Sequence, residues 1–222
     1  MPFKLALAAS VLVSACDSGP DSPAPPDSIL PLEVGNRWIF ERTLTDATGD
    51  TLLVEPDTVT IVGDTLIANE RWFVVAGSSP HSQNCFGGLE ALRDDGIWFR
   101  ADAASPAYLQ FACPAEDGTS YPYAPQSYVG EATVASTSAE TPGQPGHPGY
   151  LYEVRLDSML SWPNFAFAPN APPLRRLLIP GVGFAEFQLV FWRTGSGRYA
   201  QLAQAHTWRL VDFQPATHDG RT

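Results

Sequence analysis

The side chains that could bind a metal or act as a general base are few and scattered in this sequence of 222 residues. Its four histidines are His81, His147, His206 and His218. No two of them have the spacing of a metal-binding pair, and there is no HExxH motif. We therefore expect no metal and no cofactor, and the alternative is a metal site assembled from distant residues.

Three further segments have the spacing of turns rather than of catalytic sites. Residues 46–50 place two aspartates around a glycine but lack the ligand series and the terminal glutamate of a calcium loop. Residues 94–96 contain Asp-Gly, a strong hairpin signal. Residues 181–183 lack the GK[ST] of a phosphate loop, and no GxSxG motif is present. We predict no catalytic residues and no enzyme; the alternative is an envelope hydrolase with a site built from scattered loop residues.

Tryptophans are the side chains best suited to bind a ligand by stacking. The chain has six of them: Trp38, Trp72, Trp98, Trp162, Trp192 and Trp208. Five lie in predicted strands, where aromatic residues pack well on the pleated surface, so core packing is the main interpretation. The sharper alternative is an apolar cleft or a platform for a glycan, with Trp162 in the predicted loop 161–167 as the most exposed candidate.

The first sixteen residues have the three parts of an export signal. Lys4 supplies a positive end, residues 5–13 are apolar apart from Ser10, and residues 14–16 are small. The apolar run is shorter than the ~20 residues that span a bilayer. An ordinary signal peptide or a buried strand are the alternatives to a signal that ends in lipid attachment.

Val13, Ser14, Ala15 and Cys16 resemble the lipobox of bacterial lipoproteins. The resemblance implies that residues 1–15 are cleaved off and that Cys16 carries a thioether-linked diacylglycerol. It also implies that the new amino terminus is often acylated, for example with palmitate. Two or more acyl chains give stable anchoring, so the membrane becomes a partner through the lipid on Cys16. Asp17 would mean inner-membrane retention under the enterobacterial sorting rule, which does not hold in every phylum, so the choice of membrane stays open.

The two remaining cysteines, Cys85 and Cys113, form an even pair in an exported protein. A structural disulfide is the natural interpretation. It would contribute up to ~3.5 kcal/mol in the chain-entropy model. Two free thiols or a redox pair are the alternatives.

Residues 16–28 form a tether rich in proline and serine between the anchor and the body of the protein. The formal net charge of the chain is -11. Loss of Lys4, the only lysine, leaves 12 basic and 24 acidic residues, which makes the mature chain -12. Such an acidic body does not bind nucleic acid through its phosphates, and anionic lipid head groups repel it.

Apolar residues recur with a period of two along the globular part, which predicts strands. Tyr150, Tyr152, Val154 and Leu156 give the cleanest alternation. We predict an all-β fold, a single antiparallel domain over residues 29–215, built as a sandwich or as a curved, partly open barrel, with a disordered tail over 216–222. Residues 78–88 and 114–149 are predicted loops, the second with one possible strand over 127–135. Turns are predicted at 63–64 and 194–197, and the segment 200–209 would suit a strand or a helix.

Segments 31–38, 63–67, 180–184 and 207–210 together resemble a class of uncharacterised β-rich envelope lipoproteins. The resemblance implies the fold and the location in the cell envelope, and it implies no activity. We therefore expect a membrane-anchored, non-catalytic structural or ligand-binding module, with an envelope protein or a glycan as its possible partner. Besides the hydrolase, a carrier of lipid tails in a half-open barrel is an alternative.

Overall fold

The computed structural model describes residues 28–125, 128–142, 146–159, 162–166, 171–194 and 200–217. The predicted signal peptide, Cys16, residues 17–27 of the tether and His218 lie outside these residues. The side chains of Trp162 and Trp192 also lie outside the described part of the chain.

The described residues form thirteen strands and one short helix. In chain order these are β1 (Arg37–Asp46), β2 (Thr51–Ile67), β3 (Glu70–Gly77), α1 (Pro80–Phe86), β4 (Gly88–Arg93), β5 (Gly96–Arg100), β6 (Tyr108–Ala112), β7 (Ser120–Tyr123), β8 (Tyr128–Ala139), β9 (Gly149–Met159), β10 (Trp162–Ala166), β11 (Leu174–Ile179), β12 (Gly183–Thr194) and β13 (Ala200–Gln214).

Twelve of the strands lie side by side in one antiparallel sheet. Their order is β6-β5-β4-β3-β2-β1-β13-β12-β11-β9-β8-β7, and β10 pairs with β9 outside this path. The sheet curves until it nearly closes into a barrel. This confirms the predicted all-β fold, and it decides for the curved, partly open barrel against the sandwich.

The two edge strands of the sheet, β6 and β7, meet at a seam that side chains bridge from the interior. The hydroxyl of Tyr121, on β7, donates to the carbonyl of Gln110 over 2.9 Å. The hydroxyl of Tyr152, on β9, donates to the carbonyl of Ala112 over 2.8 Å. Both acceptors belong to β6, so the two tyrosines satisfy carbonyl groups that a paired strand would otherwise have satisfied.

The interior of the barrel is dominated by aromatic side chains. Trp38, Phe40, Phe184, Phe187 and Trp208 are almost fully buried there. Trp38 packs on Phe184 in an edge-to-face arrangement with ring centroids 6.0 Å apart, a favoured geometry for aromatic pairs. Core packing is thus the role of these two tryptophans, as the period-two pattern indicated.

Several predicted turns are confirmed by the pairing of the strands beside them. The carboxylate of Asp46 accepts hydrogen bonds from the backbone amides of Thr48 and Asp50 between β1 and β2, as expected of a hairpin turn. Residues 94–95 connect β4 to β5, and β12 pairs with β13. The segment 200–209, whose composition would also suit a helix, belongs to β13.

Four local predictions were wrong. The predicted loop 161–167 contains the strand β10, which pairs with β9. Residues 114–149 do not form a long loop, because β7 and all of β8 lie there and pair with each other. The one possible strand predicted over 127–135 corresponds to most of β8. Residues 78–88 contain α1 instead of a plain loop. The predicted turn at Gly63 is a β-bulge within the continuous strand β2, since the pairing with β3 shifts between Ile61 and Gly63.

Candidate functional site

Local sequence explains why a helix forms between β3 and β4. The hydroxyl of Ser79 accepts a hydrogen bond from the backbone amide of Ser82, and the hydroxyl of Ser82 accepts one from the amide of Ser79. Pro80 occupies the first helical position, where its missing N–H costs nothing. This reciprocal capping box starts α1 although the helix has only seven residues.

The carboxylate of Asp57, on β2, holds α1 against the sheet. It accepts hydrogen bonds from the hydroxyls of Ser78, Ser79 and Ser82 over 2.7–2.8 Å. It also accepts one from the indole N–H of Trp208 over 3.0 Å. Burial acts to raise the pKa of Asp57, but these hydrogen bonds outweigh it and hold the pKa below its usual value. Asp57 is therefore ionised at neutral pH.

Phe86, the last residue of α1, anchors the other end of the helix in the barrel interior. Its ring lies 4.6 Å from that of Phe187 and 5.1 Å from that of Phe184, between centroids. It also stacks on Phe40 at 5.7 Å and meets Trp208 edge to face at 5.7 Å. The helix is consequently tied to the interior by polar contacts at its start and by aromatic contacts at its end.

A cavity of about 350 Å³ lies between α1 and the inner face of the sheet, partly open to solvent. Its volume falls in the range of roughly 300–1,000 Å³ found for small-molecule sites. Polar groups and apolar or aromatic side chains contribute to its wall in similar measure. The wall consists of Gln83, Asn84, Cys85, Gly87, Phe99, Ala101, Tyr108, Gln110, Tyr123, Pro125, Tyr128, Leu156, Leu174, Arg176, Phe187, Leu189 and Val190.

The charged member of this wall, Arg176, is on β11. Leu174 and Leu178, two residues before and after it, belong to the main apolar core, so all three share the inner face of the strand. Arg175, the preceding residue, is exposed on the other face. The fold therefore buries the second of two consecutive arginines and leaves the first in water.

Aromatic rings surround the guanidinium group of Arg176. Its central carbon lies 4.5 Å from the ring centroid of Phe187, 4.9 Å from that of Tyr123 and 5.8 Å from that of Phe111. The residue is 5% exposed, and within the described part of the chain its Nε and Nη1 have no hydrogen-bond partner. Buried polar groups are nearly always paired, so this cation is an exception that calls for a ligand.

Three further polar residues of the cavity wall are Gln110, Tyr108 and Tyr123. Gln110 is 3% exposed, and its Oε1 lacks a hydrogen-bond partner among the described residues. The hydroxyls of Tyr108 and Tyr123 are hydrogen bonded to each other, and burial is the main cause that raises the pKa of Tyr108. Burial keeps the hydroxyl of Tyr108 protonated at neutral pH, and Arg176 is the charged side chain of the wall.

The predicted disulfide is not formed in the structure, which has both Cys85 and Cys113 as free thiols. Cys85 lies on α1 and lines the cavity, and burial raises the pKa of its thiol to about 12. The thiol of Cys113 is hydrogen bonded to Tyr150. The bridge therefore stays a prediction from the number of cysteines.

The three histidines that the structure describes, His81, His147 and His206, do not line the cavity. His206 is buried on β13, and its Nδ1 accepts a hydrogen bond of 2.8 Å from the guanidinium of Arg42, which can only donate. Its ring proton is therefore on Nε2. Burial, and then the charge of Arg42, lower the pKa of His206 to about 4. Arg42 also forms an ion pair with Glu55, so the cluster stabilises the pairing of β1 with its neighbours. His81 packs against His206, with ring centroids 4.7 Å apart, and His147 is exposed.

A second buried acid, Glu90, belongs to β4. Both of its carboxyl oxygens lack partners among the described residues. It pairs in register with Phe73 on β3 and with Phe99 on β5, and Phe99 lines the cavity. Burial raises the pKa of Glu90 to about 8, so the carboxyl group is mostly protonated at neutral pH.

No three His, Cys, Asp or Glu side chains are grouped as metal ligands in the part of the chain that the structure describes. In the same part, no helix is long and apolar enough to cross a membrane.

Comparison with known proteins gives little. No family model matches the chain, and no curated protein is similar to it. Among solved structures, the chain is similar to an outer membrane lipoprotein-sorting protein domain from Vibrio parahaemolyticus, with 9% sequence identity over 85% of this chain and 87% of that one. The TM-score is 0.22, so this likeness supports no conclusion about the fold or the function.

Arg176 and the helix α1 beside the cavity were not predicted from the sequence. The capping signal Ser79, Pro80 and Ser82 could have predicted α1. The alternation of Leu174, Arg176 and Leu178 could have drawn attention to the arginine. It could not have assigned a face, because Leu177 and Ile179 are equally apolar and also buried.

Proposed function

We propose that this protein is a non-catalytic envelope lipoprotein that binds a small, largely apolar ligand in the cavity between α1 and the sheet. The cavity carries the proposal, since its volume and aromatic wall suit a small molecule. The polar contacts of Asp57 and the aromatic contacts of Phe86 fix α1, so the wall is formed before a ligand arrives.

The chemistry of the wall supports binding rather than turnover. Cys85 is the thiol within reach of a ligand, and a pKa of about 12 keeps it protonated at neutral pH. Because the thiolate is the reactive form, this cysteine is a poor nucleophile. No specific observation favours a hydrolase with a site built from scattered loop residues. The cavity does suit the other alternative, a carrier of lipid tails.

The lipid on Cys16 and the tether behind it would hold this binding domain at a membrane of the envelope. The tether of about a dozen residues reaches up to ~40 Å when extended. The acidic body, with a net charge of -11 for the whole chain, is repelled by anionic head groups. The proposed module therefore stands off the membrane surface, with its cavity accessible to a ligand or to a partner protein.

Binding of the neutral fluorescent probe phenylnaphthylamine to the full-length chain tests the proposal. A bulky side chain on the cavity wall, Leu156→Trp, should reduce probe binding by about tenfold or more, because it fills the space. Leu66→Trp makes the same exchange at a side chain that is 72% exposed and should leave binding unchanged. If the probe does not bind, or if both variants bind it like the native chain, the cavity is not a ligand site.

A further inference from the structure

We propose that Arg176 binds the acidic head group of the ligand, which makes the ligand a single-chain anionic amphiphile. This inference rests on the proposed function and adds the chemical class of the ligand. It follows from a buried cation whose Nε and Nη1 have no partner among the described residues, on the wall of a cavity that also presents aromatic and aliphatic side chains.

A guanidinium removed from water must recover the lost hydration through other contacts. Arg176 recovers part of it from the faces of Phe187 and Tyr123, which lie 4.5 and 4.9 Å from its central carbon. These rings do not satisfy its N–H groups, and Nε and Nη1 stay unpaired. The arginine is therefore prepared for an acceptor that the described residues do not supply.

The buried acids in the interior do not serve as that acceptor. No ion pair among the described residues includes Arg176. The oxygens of Asp57 already accept hydrogen bonds from three serine hydroxyls and an indole. Glu90 is neutral over most of the pH range below 8, because burial raises the pKa of its carboxyl group to about 8. The charge of Arg176 is consequently left for an external anion.

The rest of the cavity indicates what the anion is attached to. Leu156, Leu189 and Val190 supply an apolar surface for a hydrocarbon tail on the same wall as the arginine. The volume of about 350 Å³ is at the small end of the range for ligand sites, which favours one chain over several. A guanidinium binds carboxylates and phosphates through the same pair of parallel N–H bonds. A fatty acid and a single-chain lipid phosphate are thus two sources of one chemistry.

The test compares three probes that share one tail. Hexadecanoate, hexadecyl phosphate and hexadecanol displace phenylnaphthylamine from the full-length chain carrying Cys16→Ser, in buffer without detergent. We expect at least one of the two anions to bind about tenfold tighter than the alcohol, because a charge-assisted pair is available only to them. A preference for hexadecanoate identifies a carboxylate source, and a preference for hexadecyl phosphate identifies a phosphate source.

Two variants isolate the arginine. Arg176→Gln should lose the preference for anions, measured within this variant as the ratio of anion affinity to hexadecanol affinity. Arg175→Gln removes the same charge from the next residue, on the exposed face, and should keep the full preference. Arg176→Lys retains the charge and should keep part of the preference for anions. It replaces the glutamine variant in the test if that variant does not fold.

The outcomes separate this inference from the proposed function. The role of Arg176 is overturned if the chain with the native arginine binds the alcohol and both anions equally, or if Arg176→Gln keeps the preference for anions. Either outcome still leaves a ligand cavity. Failure of all probes to bind overturns both. Equal losses of anion preference in Arg175→Gln and Arg176→Gln would show a general effect of surface charge and would also overturn the role of Arg176.

Discussion

The indole Nε1 of Trp208, on β13, donates a hydrogen bond of 3.0 Å to Oδ2 of Asp57, on β2. These two strands are the neighbours of β1, so the bond joins three adjacent strands on the interior side of the sheet. The same carboxylate holds three serines at the start of α1. One buried acid thereby fixes both the sheet and the helix that forms the cavity wall.

Asp57→Asn should lower the free energy of unfolding by about 1–3 kcal/mol at neutral pH, since an amide cannot accept all of these donors. Urea denaturation measures the change. Asp212→Asn, at an exposed position of β13, is the matched control and should leave the free energy of unfolding nearly unchanged. Because the pKa of Asp57 is held below its usual value of 3.8, its stabilisation is present above that pH and is lost as the pH falls through the folded pKa. Equal effects of the two substitutions would contradict the anchoring role.

Gly77, at the end of β3, allows the close approach of α1. A Cβ atom there would lie 2.3 Å from the backbone nitrogen of Gln83, a backbone contact that no rotamer relieves. Gly77→Ala should therefore destabilise the protein by about 1–3 kcal/mol and weaken probe binding by moving the helix.

Gly63 provides the control for this substitution, because a Cβ atom there would meet nothing within 4 Å. Gly63→Ala should leave both the midpoint of thermal unfolding and the probe affinity near those of the native chain. A Gly77→Ala protein with native stability and native probe binding would refute the close packing of α1 on β3.

Glu90 should make the protein less stable as the pH rises. Its folded pKa of about 8 lies above the usual value of 4.5, so the folded state retains a proton that the unfolded chain releases. The stability contributed by this group is complete below 4.5 and is lost progressively up to about 8. Glu90→Gln should remove this dependence on pH. At pH 8 the free energy of unfolding of the variant should exceed that of the native chain by about a few kcal/mol.

Urea denaturation between pH 4.5 and 8 gives the comparison, with both limits taken from the two pKa values of Glu90. Glu131→Gln, at an exposed position of β8, should keep the pH dependence of the native chain. If Glu90→Gln shows the same dependence as the native chain, the carboxyl group of Glu90 is not held in its protonated form.

Cys16→Ser should abolish incorporation of labelled palmitate and release the protein from the membrane fraction, because the serine cannot form the thioether. Fractionation of labelled cells measures both effects. Cys113→Ser, which changes another cysteine by the same exchange, should retain label and membrane association. Persistence of both signals in Cys16→Ser would show that the lipobox prediction is wrong.

Much of the fold was predictable because a half-buried strand repeats its environment every second residue. On β9, Tyr152 and Val154 are buried in the core while Arg155 is exposed, as the alternation predicted. Turn residues such as those at 94–96 were predictable for a related reason, since their chemistry acts over a few neighbouring positions. Most of the region 114–149 was not, apart from the possible strand over 127–135, because β7 has a weak local signal and depends on pairing with β8, which in turn pairs with β9.

The sequence by itself determined the β-strand periodicity and the acidic charge and predicts an export signal, because all three are local or additive properties. Only the tertiary structure decided that the sheet curves almost into a barrel and that α1 covers its interior. The same closure placed Arg176 in the cavity, although Arg175 beside it is exposed. Periodicity assigns these two arginines to opposite faces of β11, but both faces carry buried leucines. Which face becomes the interior depends on long-range contacts with Phe187, Tyr123 and the helix, and no local pattern contains that information.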